Sequence, residues 1–128
     1  MHVIHLRKPW SILMDHDQWT RSVDVPDLDQ VRAEIRASRR TYFRSFNATP
    51  GLLASHVKMR ITEWSGDLEE VSLNQHSIEF YPSENREVVV DVTQFLQTRN
   101  ELRIALLNLE GVSPQLTGEV FLEVEDVG

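Results

Sequence analysis

The side chains that could do chemistry fall into a few groups. Trp10, Trp19, Trp64 and Tyr81 stand beside turn-forming residues, and an exposed aromatic ring with polar neighbours can stack on the flat face of a pyranose. The competing use of such rings is to plug the ends of a core. His2, His5 and His16 offer imidazoles, but a spacing of three along a strand sends His2 and His5 to opposite faces, so they do not converge on a metal. Glu69, Glu70, Glu119, Glu123, Glu125 and Asp126 supply carboxylates. A glycosidase pair must flank a cleft with one carboxyl kept protonated, whereas these alternate with apolar residues and read as a solvated face. Arg32, Arg36, Arg39 and Arg40 cluster where a helix is expected to end; cations suit that end of the dipole, and an anion or a partner could dock there. There is no Gly-rich phosphate loop, Gly-x-Ser-x-Gly or His-Glu-x-x-His, so catalysis is not expected.

Composition narrows the classes further. The chain has 128 residues, no cysteine and a formal charge of -7. That length suits one domain spanning residues 1–128. Without cysteine there is no disulfide framework, thiol nucleophile or Cys-ligated metal. The negative charge argues against nucleic acid or an anionic membrane as partner, because both need a positive field. The opening MHVIHLRKPW lacks the apolar run of a secretory signal, and no stretch approaches the roughly 20 apolar residues of a membrane span. The expectation is a cytoplasmic protein.

Most of the elements that would position these groups read as strands. His2 to Leu6 suggests a short edge strand, and Ser11 to Met14 a second. Leu28, Val31 and Ile35 recur at helical spacing behind an Asp27/Gln30 capping pair, which predicts one helix over 28–37. Thr41 to Phe46 sets Tyr42, Arg44 and Phe46 on one face and Thr41, Phe43 and Ser45 on the other, as in a central strand. Thr49-Pro50-Gly51 reads as a turn. Val57, Met59 and Ile61 then alternate with polar residues. Val71 and Leu73 lead through Asn74-Gln75 to Ile78 and Phe80, which predicts a hairpin with Asn74 at positive φ. The second turn position would prefer glycine, so a longer loop through His76 and Ser77 is the alternative. Glu87 to Val92, Leu102 to Leu106 and Val120 to Val124 complete about eight strands. The expected fold is all-β, a two-sheet antiparallel jelly-roll sandwich with one short helix.

Four segments in order, Tyr42-Phe43-Arg44-Ser45-Phe46, Glu70-Val71-Ser72-Leu73-Asn74-Gln75, Val90-Asp91-Val92-Thr93-Gln94-Phe95-Leu96 and Arg99-Asn100-Glu101-Leu102-Arg103-Ile104, resemble the sugar-binding module of family 2 glycoside hydrolases. That module is a galactose-binding-like jelly roll, and the resemblance covers roughly residues 40 to 125. Its Asn-Gly hairpin is Asn74-Gln75 here. The Asp91-Val92-Thr93 segment is suited to cap the short turn of Gln94 to Leu96 and drop Phe95 and Leu96 onto the core. Jelly rolls of this general kind often hold a structural calcium on loop oxygens. Asp15, Asp17, Asp24, Asp27 and Asp29 lie in about the right region, but their ordinary role as loop and cap residues is favoured, so no cofactor is expected.

Two functions follow as expectations. One is a non-catalytic carbohydrate-binding module using Trp64, Trp19, Tyr81 and Asn74. The other is a structural or interaction module that packs on another protein through an apolar face such as that of Phe121. A fold shared by many activities does not choose between them.

Overall fold

The computed structural model describes residues 1–14, 18–29 and 38–126. Through them run ten strands: β1 (His2–His5), β2 (Trp10–Met14), β3 (Arg21–Val23), β4 (Arg39–Asn47), β5 (Ser55–Ile61), β6 (Asp67–Leu73), β7 (His76–Ser77), β8 (Val88–Asp91), β9 (Arg99–Leu107) and β10 (Val120–Asp126). Every pairing is antiparallel. One sheet has the order β1-β10-β5-β8 and the other β3-β2-β4-β9-β6-β7, so the expected two-sheet sandwich is what forms.

Period-two alternation explains the layering. Val57, Met59 and Ile61 of β5 are buried, as are Val120, Leu122 and Val124 of β10, while Lys58 and Arg60 look outward. Ile12, Tyr42, Ile104 and Val71 stand side by side across the facing sheet and meet them in the core. Each such side chain contributes about 1.5–3 kcal/mol by leaving water. β4 is central, between β2 and β9, as its two bulky faces predict.

Several local readings need correction. Thr49-Pro50-Gly51 does not simply turn but opens a short helix, α1 (Pro50–Leu53), in which Thr49 Oγ1 accepts the Leu52 N–H at 3.1 Å and Pro50 fills the first turn. The expected strand through Ile78 and Phe80 reduces to the two residues of β7, with Ile78 still buried and its N–H given to the Val71 carbonyl. β3 was not foreseen, because three residues are too few for periodicity to register. The helix expected over 28–37 lies mostly outside the described residues, as do Asp15, His16, Asp17, Arg32 and Arg36. Among the described residues no helix is long and apolar enough to cross a membrane.

A buried polar knot ties the loop after β3 to the sheet. Tyr42 donates its hydroxyl to Asp27 Oδ2 at 2.7 Å and accepts the Leu116 N–H at 3.2 Å. The Asp27 N–H in turn reaches the Leu116 carbonyl at 2.8 Å. Burial, with the Asp27 charge added, pushes the Tyr42 phenol far above its ordinary value, so it is a permanent donor here. Arg40, fully buried on the same face of β4 as Tyr42, offsets part of that effect with its positive charge.

Candidate functional site

At one end of the six-stranded sheet, three separate segments meet because of how β9 is flanked. Its first residues lie against the end of β4, with Asn47 opposite Arg99, Phe46 opposite Asn100 and Ser45 opposite Glu101. On its other side sits the β6–β7 hairpin, whose turn is the expected two-residue one. Leu73 faces His76 across it, and both Asn74 (φ 53°) and Gln75 (φ 70°) take the left-handed conformation. A turn of this kind matches strand twist but favours glycine at its second position, so Gln75 holds a strained backbone that its surroundings must enforce.

The enforcement comes from a clasp of two asparagines. Asn74 Nδ2 donates to the Phe95 carbonyl at 2.8 Å and to Asn100 Oδ1 at 3.0 Å, while its Oδ1 accepts the Glu101 N–H at 2.9 Å. Asn100 is buried; its Oδ1 also accepts the Gln97 N–H at 2.8 Å, and its Nδ2 donates to the carbonyls of Gln97 at 2.7 Å and Phe46 at 3.4 Å. The His76 ring covers Phe95 at 5.4 Å between centroids. Two side chains thus fasten the hairpin, the 93–97 turn and the end of β4 to the start of β9.

A second tether lies just upstream. Asp91 Oδ1 accepts the Thr93 N–H at 3.0 Å, which starts the 3-10 turn Thr93–Phe95. Thr93 Oγ1 instead crosses to β5, accepting from Val57 N at 2.9 Å and donating to Val57 O at 3.2 Å. Of the two expected caps Asp91 alone serves, and Phe95 and Leu96 do pack against the core. The other carboxylate oxygen of Asp91 meets His56 Nε2 at 2.7 Å. Partial burial alone would raise this carboxyl, but the bonds from Thr93 and His56 outweigh it and hold Asp91 below its ordinary value.

Around this scaffold opens a cleft of about 630 Å3, lined by Ser45, Phe46, Asn47, Asn74, Gln75, Gln97, Arg99, Asn100 and Glu101. Its floor is the satisfied clasp. Its rim is different: the side chains of Asn47, Gln75, Gln97, Arg99 and Glu101 are exposed and make no hydrogen bond or ion pair with another described residue. Amides donate and accept, the guanidinium donates and the carboxylate accepts, so the rim can meet a ligand rich in hydroxyls. A smaller cleft of about 250 Å3 shares Asn47 and is walled by Ile4, Leu52 and Val124 with Asp126 at its edge.

Of the four residues expected to bind, only Asn74 lines the cleft, and there its polar atoms serve the clasp. Trp64 is 5% exposed, with the Arg86 guanidinium 5.2 Å from its ring centroid. This corrects the stacking role expected of it. Gly66 beside it leaves no room for a side chain, since its φ is 83° and a Cβ there would stand 2.4 Å from the Leu107 carbonyl. Trp10 is likewise buried and gives its indole N–H to the Leu6 carbonyl at 2.7 Å. Trp19 and Tyr81 are 79% and 84% exposed but line neither cleft.

The other groups disperse. Among the described residues no three His, Cys, Asp or Glu converge on a metal position, and Asp27, one of the calcium candidates, is committed to Tyr42. Glu69 and Glu70 pair with Arg39 at 2.8 and 3.6 Å, Glu123 pairs with Arg60, and Glu119 lies 3.9 Å from Arg7. The exposed cleft residues that the sequence did not single out as binding candidates are Asn47, Gln75, Gln97, Arg99 and Glu101. Only the pairing of β9 with the end of β4 and the position of the Asn74 hairpin bring them together.

No family model and no curated protein matches the chain. Among solved structures it is similar to a Bacteroides uniformis β-glucuronidase, with TM-score 0.79 and 14% identity over 98% of this chain and 18% of that one. A putative β-galactosidase from Bacteroides fragilis gives 0.79 and 13%, over 98% and 23%. A glycosyl hydrolase family 2 member from Bacteroides cellulosilyticus DSM 14838 gives 0.80 and 10%, over 98% and 21%. At such identities the likeness is one of fold. The chain spans between 18% and 28% of the length of the glycosidases it matches.

Proposed function

We propose that this chain is a non-catalytic module that binds carbohydrate in the cleft beside the Asn74–Asn100 clasp. The observation that carries the reading is the contrast within that cleft. A floor whose polar atoms are all engaged supports a rim of three amides, a guanidinium and a carboxylate that are not. Such a polar rim, carried on an anchored backbone frame above the partly buried Phe46, suits a polyol. The likeness to glycosidases over a small fraction of their length agrees with an accessory role. So does the distribution of acids: one cleft is lined by a single carboxylate, Glu101, and the other by Asp126 alone, where hydrolysis needs two facing across a substrate.

The test is an NMR titration of the 15N-labelled chain with a panel of mono- and oligosaccharides. Shift changes are expected at Gln75, Gln97, Arg99 and Glu101, and Arg99→Ala should abolish them without altering the remaining spectrum. A silent spectrum across the panel refutes the reading.

A second reading, an interaction module, is favoured by the outward face of the four-stranded sheet. There the rings of Phe121 and His5 meet tilted, 5.6 Å between centroids, and Val3 and Val89 are exposed. Strictly monomeric sedimentation with no partner recovered would exclude it.

A further inference from the structure

The rim of the cleft carries one charge of each sign in a fixed relation. Arg99 and Glu101 are alternate residues of β9, so they rise from the same outward face about 7 Å apart along the strand. Neither is neutralised by another described residue. The remaining exposed rim groups are the amides of Asn47, Gln75 and Gln97 and the hydroxyl of Ser45.

We propose that this cleft, taken as the sugar site of the preceding reading, selects neutral hexoses over the matching uronic acids. A carboxylate drawn to Arg99 stays within a Debye length, about 8 Å at physiological salt, of Glu101. The attraction of such an exposed ion pair is worth at most about 1 kcal/mol; the repulsion from Glu101 removes part of it, and the carboxylate must still shed part of its hydration. The overall charge of -7 adds a repulsive background. A neutral ring meets neither that repulsion nor that dehydration. Its hydroxyls donate to Glu101 and accept from Arg99 in charge-assisted hydrogen bonds, and the others exchange donors and acceptors with the three amides.

The decisive experiment titrates the labelled full chain with methyl β-glucoside against methyl β-glucuronide, and with methyl β-galactoside against methyl β-galacturonide. Within each pair only the C6 group differs. The expected result is perturbation of Gln75, Gln97, Arg99 and Glu101 by both members, with the neutral one bound about fivefold more tightly or better and the preference shrinking as salt is added. Glu101→Gln, an exposed and nearly isosteric change, should move the ratio about fivefold toward the uronide. Equal or tighter uronide binding at the same residues, or a ratio that Glu101→Gln does not move, overturns this inference while leaving the cleft as a sugar site. No perturbation of cleft residues by any of the four removes the sugar reading and the inference with it.

Discussion

Two polar networks stabilise this sandwich, and they differ in what they leave over. The Tyr42–Asp27–Leu116 knot is sealed: each partner is buried, and none of the three lines either cleft described above. The Asn74–Asn100 clasp does the same anchoring work, but its outer neighbours, Gln75, Arg99 and Glu101, project into solvent around an opening. Anchoring polar groups therefore do not by themselves mark a site. The cleft differs in being an anchored frame whose adjacent side chains remain uncommitted.

The sharpest way to break the comparison is to open the sealed network. Tyr42→Phe removes the hydroxyl that donates to Asp27 Oδ2 and accepts the Leu116 N–H in the interior, and should cost about 3 kcal/mol, read as a lower urea midpoint at unchanged m-value. Next in size is the clasp, where Asn100→Ala removes four hydrogen bonds and should cost about 2 kcal/mol. Combining the two changes tests whether the networks are independent. They lie about 13 Å apart along β9, so the penalties should add to within about 0.5 kcal/mol, whereas Asn74→Ala with Asn100→Ala should fall short of additivity by about 1 kcal/mol.

The smallest effect belongs to the Asp91 tether, which is half exposed and screened by solvent. Its carboxyl is held below the ordinary 3.8 in the fold, so its contribution is complete above that value and is lost as pH falls through the lowered one. The groups facing it are His56, Lys58 and Thr93. Melting temperatures of the protein and of Asp91→Ala should differ by a constant amount between pH 5 and 4.5, roughly the range above both values, and converge below.

Much of the fold was legible because burial follows a period of two: Val57, Met59 and Ile61, or Leu102, Ile104 and Leu106, announce an inward face wherever the strand lies. The strings around Asn74, Asp91 and Asn100 were legible too, and they prove to be the fasteners of the chain. The knot was not readable, since Tyr42 meets partners 15 and 74 residues away that carry no local signature. Trp64 was misread because proximity to Ser65-Gly66 says nothing of Arg86, which arrives from another loop to cover it. The cleft escaped for a related reason. Polar residues near turns are ordinarily just solvated, and only the pairing of Asn47 with Arg99 and of Ser45 with Glu101 makes these converge.

The margins of the two sheets carry a consequence for how copies of this chain behave in company. The wider sheet ends in strands of three and two residues, β3 and β7, and the narrower in strands of four, β1 and β8. A stranger's backbone laid along any of these would find at most a few free rungs, and at β8 the ladder finishes on Asp91, already turned toward His56. Stubby borders of this sort starve fibril-like stacking of its template. Short margins are the common guard of an all-strand architecture against growth by lateral addition, copy upon copy.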